Sequence, residues 1–201
     1  MDHLQRLNKR MKGIVDETTV AKARAGDLES FQSLVEHHSR DVFRLAFRMT
    51  RNEMDAEDAV QETFLRAYKK ISSFDGRSSF STWLYRVTAN TSIDIIRRRQ
   101  RHESRSTSLD EETANSRMPT SSDPSQDRIL FSSEIKKRLD VALGELSELE
   151  RSAFVLRHFE DFPLAEISRM LGMKTSATKQ AVFRAVRKVR KTLEPVVRAT
   201  S

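Results

Sequence analysis

The cationic residues near the C-terminus are spaced so that a single helix would carry them on one face. At about 100° per residue, side chains suited to a polyanion recur on one side of this helix: Lys179, Gln180, Phe183, Arg184, Arg187 and Arg190. Apolar side chains recur on the other side: Val182, Ala185, Val186, Val189 and Leu193. Because no acidic residue interrupts 174–193, the helix suits the groove of duplex DNA, and a solvated basic helix is the alternative interpretation.

A shorter helix and a tight turn come before this basic helix, and together they predict a helix-turn-helix. Pro163 suits the first position of the shorter helix, while Leu164, Ile167 and Leu171 give it an apolar face. Gly172 suits the position after its last turn, where φ is often positive. The combination favours DNA binding over a basic helix that only faces solvent.

A second group that could bind nucleic acid lies on the helix predicted for 80–101. One face of this helix offers an indole, an amide, a carboxylate and a guanidinium, from Trp83, Asn90, Asp94 and Arg97. Stacking surfaces beside cations suit unstacked bases, and the loop 74–77 could form a pocket for an extruded base. The alternative, which the pattern alone favours, places Trp83 and Phe74 in the core.

A third pattern is acidic and falls on the helix that we predict to begin after a capping residue, Asn52. Asp58, Gln61 and Glu62 lie on adjoining positions around Phe64. Because the chain as a whole is basic, an acidic helix of this kind suits a basic surface on a protein partner. A plain solvated face is equally consistent with the pattern.

Motifs that would indicate catalysis are missing from the sequence. It contains no Gly-rich phosphate loop, no His or Cys set with metal-ligand spacing and no visible Ser-His-Asp arrangement. His37 and His38 point to opposite sides of a helix, so they do not suit a shared metal ion. We therefore expect a protein that is not an enzyme and that has no cofactor and no metal site.

The composition limits the partners and the compartment. Lys and Arg number 36 against 29 Asp and Glu, and this net charge of +7 favours nucleic acid or an anionic surface. No apolar run approaches the roughly 18–20 residues of a membrane span, and the N-terminus lacks the apolar stretch of a secretory signal. Since cysteine is absent, which fits a reducing compartment, we expect a cytoplasmic protein without membrane insertion.

Helical periodicity predicts an all-α fold with two small helical domains joined by a flexible linker. The predicted divisions are an N-terminal extension over 1–19, a helical domain over 20–101, the linker over 102–127 and the helix-turn-helix domain over 128–201. The linker is rich in Ser, Thr, Asp and Glu and cannot bury enough surface to offset its chain entropy. In the last domain, Ser147 and Glu150 predict a capping box.

These patterns occur together, in the same order, in a known family. The second conserved region of bacterial RNA polymerase sigma factors is similar to the stretches DAEDAVQETF and FSTWLYRVTANTSIDIIRRR. Their fourth region is similar to LAEISRMLGMKTSATKQAVFRAVRKVRKTL. The chain most resembles the extracytoplasmic-function (ECF) subgroup, in which a linker stands where other sigma factors have a third region.

The resemblance implies roles for the matching positions. It implies contact with a coiled coil of the polymerase clamp for Asp58, Gln61, Glu62 and Phe64. It implies melting and reading of the minus-ten promoter element for Phe74, Trp83, Tyr85 and Asn90, and we add Asp94 and Arg97 from the same helix. It implies reading of the minus-thirty-five element for Lys179, Gln180, Phe183 and Arg184, with Arg187 beside them.

The implied function is that of a sigma factor, which directs core RNA polymerase to promoters and promotes strand opening. Core polymerase, promoter DNA and an anti-sigma factor are the implied partners. The sequence departs from the family at Ser176, Ala177 and Thr178, where Gly-Thr-Val is usual, and at Ala181 and Val186, where Arg is often found. The alternative function is a stand-alone regulator that binds duplex DNA by its helix-turn-helix, which would need neither the acidic helix nor the aromatic one.

Overall fold

The computed structural model describes residues 17–103, 135 and 137–198, with side chains described as far as 102 and 194. We call residues 17–103 the N-terminal block and residues 135–198 the C-terminal block. Every regular element in these ranges is a helix, which confirms the all-α prediction for the described part of the chain. Residues 1–16 of the predicted extension, and all but the first two residues of the predicted linker, lie outside the described residues.

The N-terminal block contains four α-helices. They are α1 over 17–24, α2 over Leu28–Thr50, α3 over Glu53–Lys70 and α4 over Phe80–Glu103. A 3-10 turn over Ile71–Ser73 follows α3 directly. Since α4 is described as helical through Glu103, it extends two residues beyond the predicted end.

The C-terminal block contains the other four helices of the described ranges. They are α5 over 137–144, α6 over Glu148–His158, α7 over Leu164–Leu171 and α8 over Thr175–Arg198. The last two form the predicted helix-turn-helix, and α6 packs against both of them.

Side chains within three or four residues of each helix end determine several boundaries. Asn52 accepts a hydrogen bond from the Asp55 amide at 2.9 Å, as predicted for the cap of α3. The capping box of Ser147 and Glu150 is present at the start of α6. The prediction for Pro163 was wrong by one position, because its extended ψ of 144° makes it the capping residue before α7 rather than the first helical one.

The two blocks share one apolar core, which the sequence pattern did not predict. Leu45 and Met49 of α2 and Ile93 of α4 are buried in the same cluster as Leu143 and Phe154 of the C-terminal block. Periodicity shows which face of a helix is apolar but not which helix covers it, and here part of the apolar face of α2 and of α4 is covered by the other block. The described molecule is therefore closed, with α2 packed against α6, and α4 packed against both α6 and α7.

A buried arginine crosses this shared core. Arg151 of α6 donates from Nε to the main-chain carbonyl of Met49 in α2 at 2.9 Å. Its Nη1 lies 3.4 Å from the carbonyl of Leu146 and 3.5 Å from that of Leu143. Burial lowers the pKa of Arg151 to about 10, so the guanidinium stays charged at neutral pH. Carbonyls at helix ends stabilise a cation because the C-terminal end of a helix carries partial negative charge.

Candidate nucleic-acid interface

The outer face of α8 has the two-sided character that its sequence predicts. The predicted DNA-contacting side chains are all exposed: Lys179, Gln180, Phe183, Arg184 and Arg187. On the opposite side, Ala181, Ala185 and Val189 are buried. The Phe183 side chain is 67% exposed, which is unusual for a large aromatic residue. One apolar prediction was wrong, because Val186 stands at the edge of the buried stripe and is 37% exposed.

A buried hydroxyl pair joins α7 to the start of α8. Ser168 donates from Oγ to Oγ1 of Thr178 at 3.0 Å, and Thr178 is fully buried. Thr178 stands where the resembled family usually has Val. Burial of the Thr178 hydroxyl therefore costs little free energy, because its hydrogen-bonding partner, Ser168, lies on the facing helix.

Glu150 lies directly beneath the basic face of α8, which sequence reasoning missed. Its Oε1 accepts from Nε of Arg184 at 3.1 Å, and its Oε2 accepts from Nζ of Lys188 at 2.7 Å. Burial raises the pKa of this carboxyl, but the hydrogen bonds from Lys188, Ser147 and Arg184 outweigh burial and hold it below the ordinary value. The sequence showed Glu150 only as a capping residue, since 34 positions separate it from Arg184.

The aromatic residues before and within α4 form a packed cluster. Phe74 is 6% exposed, with its ring centroid 5.4 Å from that of Trp83 and 5.9 Å from that of Phe80. Trp83 is half-buried and lies 5.5 Å from Phe80. In this state Phe74 is a core residue, as the alternative interpretation held, and it supports one side of the indole.

The polar residues predicted on the same face of α4 are not equally accessible. Asn90 is exposed. Asp94 accepts from Nη1 of Arg66 at 2.9 Å, and Nε of Arg66 donates to Glu62 of the acidic helix at 2.6 Å. This bridge joins two predicted surfaces, the acidic face of α3 and the nucleic-acid face of α4.

Tyr85 and Arg97 turn toward other partners. The Tyr85 hydroxyl donates to Asp41 of α2 at 3.3 Å, and burial followed by the charge of Asp41 raises the pKa of this tyrosine. Arg97 donates to the carbonyl of Leu171 in the C-terminal block. The six predicted minus-ten residues therefore do not form one continuous exposed surface in the closed molecule. Arg97 still lines a basic cleft together with Arg66, Asp94, Arg98, Gln100 and Arg101.

The acidic face of α3 is exposed where the pattern predicts. Asp58 and Gln61 are exposed, Glu62 is partly covered by its ion pair with Arg66, and Phe64 packs at the edge of the core. The opposite side of α3 is buried through its small residues: Ala56, Ala59, Thr63 and Ala67. Sequence reasoning gave no role to Tyr68, a neighbouring aromatic that is also exposed.

The described residues contain neither a group of metal-ligand side chains nor a membrane-spanning helix. Within 17–103 and 137–198, no three His, Cys, Asp or Glu side chains are grouped as metal ligands would be. No helix in those ranges is long and apolar enough to cross a membrane.

Two family models match the chain, one on each block. The model for Sigma-70 region 2 matches residues 34–102, and the model for Sigma-70 region 4 matches residues 136–189. The ECF RNA polymerase sigma factor SigW of Bacillus subtilis is 31% identical over 180 residues, which cover 87% of this chain and 94% of that protein. The sigma-H factor of Pseudomonas aeruginosa is 29% identical over 185 residues, covering 91% and 96%.

A solved structure has the same fold. The sigma factor RpoE of Bartonella quintana, in complex with the anti-sigma factor NepR, superposes with a TM-score of 0.61 over 83% of this chain and 98% of its own, at 22% identity.

The two family matches, on the block with the aromatic-basic helix and on the block with the helix-turn-helix, define a helical protein of the promoter-binding class. The chain belongs to the sigma-70 family of RNA polymerase sigma factors, within the ECF subgroup. It directs RNA polymerase to promoters at initiation, and the family is not one of enzymes. The match to region 2 does not favour the alternative of a stand-alone regulator, which needs only the helix-turn-helix.

Proposed function

We propose that three surfaces of this sigma factor divide promoter recognition between them. The exposed face of α3, around Asp58 and Gln61, contacts core polymerase. The face of α4, with Trp83 and Asn90, holds the melted strand at the minus-ten element. The outer face of α8 reads the minus-thirty-five duplex.

The separation of charge carries this proposal. Asp58 and Gln61 are exposed on α3, whereas residues 174–193 of the helix-turn-helix contain no acid at all. A polyanion would be repelled by the first surface and attracted by the second. The acidic face therefore suits a basic protein surface, and the cationic face suits DNA.

The minus-ten contact rests on a supported indole and a nearby amide. Phe74 and Phe80 brace Trp83 from the core side, which holds a stacking surface in place without further ordering on binding. Asn90 is exposed and can hydrogen-bond to a base edge. Asp94 and Arg97 contribute after the contacts that they make in the closed molecule are exchanged for DNA.

Promoter binding requires the two blocks to separate. The names of the two elements place them 25 base pairs apart, which is about 85 Å of duplex at a rise of 3.4 Å per base pair. In the closed molecule α4 and α7 are in contact through Arg97 and Leu171. Both elements therefore cannot be bound at once until α7 and α8 move away from α4.

We also infer a protein inhibitor of the anti-sigma class, and action in the cytoplasm where polymerase and chromosome are found. The sigma factor RpoE was solved in complex with the anti-sigma factor NepR, and CnrH, which has a similar fold, was solved in complex with the cytosolic domain of CnrY. An inhibitor that stabilises the closed arrangement would keep the two DNA-binding surfaces apart from their elements.

Reconstituted transcription tests the proposal. Core polymerase with and without the full chain is incubated with a pool of genomic promoter fragments, and transcript starts are mapped. The proposal expects new starts downstream of a shared pair of motifs, about 25 base pairs apart. Starts that require only the upstream motif would overturn the assignment of α4 to the minus-ten element.

A further inference from the structure

The carboxylate of Glu150 lies under the basic face of α8 and belongs to a different helix. Glu150 is 6% exposed and occupies the third position of α6. Its two oxygens accept from Arg184, from Lys188 and from the amide of Ser147. Amide groups at the start of a helix favour a negative charge at this position, so the carboxylate is fixed in place as well as charged.

The bond to Arg184 uses Nε and constrains the direction of the guanidinium. An arginine recognises a guanine edge through two parallel N–H groups in a planar fork. When Nε is anchored on one side, the terminal nitrogens can serve an acceptor on the other. The Arg184 side chain is 52% exposed, so this acceptor can come from DNA lying along α8.

We propose that Glu150 is a positioning residue for promoter readout, which sets the fork of Arg184 toward one base of the minus-thirty-five element. The inference rests on the proposed reading of that element by α8. Lys188 lies one turn further along and binds the second oxygen of the same carboxylate, so the anchor holds two cations in a fixed relation.

Helix capping alone does not require this arrangement. A glutamine at the same position can complete a capping box, and it would still fill the space of Glu150. What glutamine lacks is the charge that holds two cations. Replacing the acid by its amide therefore separates the positioning role from the structural one.

The carboxylate of Glu150 should lower the affinity of α8 for DNA in general while raising its selectivity for one base. An ionised Glu150 offsets part of the positive charge that attracts phosphates, and this term acts on every sequence alike. Loss of the charge should leave binding to random duplex unchanged or tighter. The preference for one base pair should fall, because Arg184 is then able to contact several acceptors.

The test uses holoenzyme made from core polymerase and the full chain, with duplexes that carry every base at each position of the minus-thirty-five element. The reference duplex is the one that the wild-type holoenzyme selects from a random pool. Binding is compared for the wild type, Glu150→Gln, Arg184→Ala and the double variant. Glu145→Gln is the matched control, because Glu145 also accepts from α8, at Thr192 Oγ1 and 3.1 Å, but away from the predicted DNA-reading residues.

The expected result is a loss of preference, on the order of tenfold, at one position in both single variants. Glu150→Gln should cause no further loss in the Arg184→Ala background, and the control should keep the preference. A preference that survives Glu150→Gln but not Arg184→Ala overturns the positioning role alone. If Glu150→Gln causes a further loss of preference in the Arg184→Ala background, the positioning role is also overturned, because Glu150 would then act through the structure and not through Arg184.

If Arg184→Ala keeps the full preference, the proposed reading by Arg184 fails, and the positioning role fails with it. Thermal unfolding of each variant checks folding. Should Glu150→Gln not fold, Glu150→Asp takes its place, because it keeps the charge but shortens the reach to Arg184. The same position should then lose preference, and an unchanged preference would overturn the proposal.

Discussion

Arg97 of α4 donates from Nη2 to the main-chain carbonyl of Leu171, the last residue of α7, at 2.9 Å. The next residue, Gly172, has φ of 63°, and a Cβ there would lie 3.3 Å from the same nitrogen. The glycine therefore ends α7 in the left-handed region and also leaves room for the guanidinium. A side chain that we assign to the minus-ten element is thus bound by the other DNA-reading block.

Replacing Arg97 by Ala should loosen the closed arrangement. A hydrogen bond from a charged donor contributes about 1.5–3 kcal/mol to stability. Because the bond from Arg97 is partly exposed to solvent, we expect its contribution to lie near the lower end of this range. With spin labels at position 36 on α2 and position 190 on α8, double electron–electron resonance should show a larger fraction of long label-to-label distances in Arg97→Ala than in the wild type. Arg98→Ala, on the same exposed turn of α4, is the control and should leave the distances unchanged.

Asp58→Lys should weaken binding to core polymerase without affecting the fold. Asp58 is exposed on α3, so a positive charge there faces the basic surface that we propose as partner and costs several kcal/mol. Glu62 is a poorer site for this test, because it also holds Arg66. Affinity is measured by titrating labelled sigma factor with core polymerase, and Glu36→Lys on α2 controls for charge. Equal affinities of the two variants would argue against the assignment.

Asn90→Ala should reduce strand opening while duplex binding by α8 is kept. Asn90 is exposed, so its removal leaves the aromatic cluster around Trp83 intact. Fewer thymines in the minus-ten region should react with permanganate, while binding to a duplex carrying only the minus-thirty-five element should match the wild type. Trp83→Ala should reduce strand opening and should also lower the melting temperature of the protein, because the indole packs on Phe74 and Phe80. Normal permanganate reactivity with Asn90→Ala would remove this residue from the minus-ten surface.

Arg187→Ala should weaken binding to all DNA sequences alike, in contrast to Arg184→Ala. We assign Arg187 to a phosphate, and each neutralised phosphate contributes about 0.9 to the slope of log affinity against log salt. The variant should therefore lower that slope by about one unit. Titrations of promoter and random duplexes between low and moderate salt measure it, and a loss confined to the promoter duplex would assign Arg187 to a base.

Glu160→Gln should stabilise the protein at neutral pH. Burial raises the pKa of Glu160, the charge of Arg48 opposes this, and the charge of Asp41 adds to it. Because the folded-state pKa lies above the ordinary value near 4.3, the ionised group costs stability at pH 7. That cost disappears as the pH falls through the raised pKa.

The melting temperature of Glu160→Gln should therefore exceed that of the wild type at pH 7.5, by about 2–4 °C for each kcal/mol. The difference should shrink as the pH is lowered from 7.5 toward the ordinary carboxyl pKa near 4.3. Asp161→Asn is the control, since Asp161 is exposed and asparagine tolerates its φ of 55°. A difference that stays constant with pH would mean that titration of Glu160 does not affect folding.

Features that depend on nearby residues could be predicted from the sequence. The cap at Asn52, the capping box of Ser147 and Glu150, and the left-handed Gly172 each involve residues within about one helical turn. Helical periodicity likewise gave the buried and exposed faces of α8. Val186 was misplaced because a residue at the edge of a stripe is decided by the neighbour that covers it, which periodicity does not specify.

Features that join distant residues could not be predicted. Arg184 and Glu150 are 34 positions apart, and Arg97 and Leu171 are 74 apart. Periodicity shows which face of a helix is apolar but not which helix covers it. Phe74 has the same ambiguity, since an aromatic ring suits both a core and a stacked base. Its packing against Phe80 and Trp83 places it in the core of the closed molecule.

The guanidinium of Arg151, bonded to the Met49 carbonyl across the shared core, determines what can replace either block. Apolar contact alone is non-directional and lets surfaces slide, whereas a buried charge and a buried carbonyl each demand a partner at a fixed point. In the separation of the blocks that we propose, any surface that then covers α2 must therefore offer a donor at the Met49 carbonyl, and any surface that covers α6 must offer an acceptor at Arg151. A purely apolar surface of the right shape would leave the Met49 carbonyl or the Arg151 guanidinium without a hydrogen-bonding partner. Successive partners of this core must therefore place a polar group at the same position.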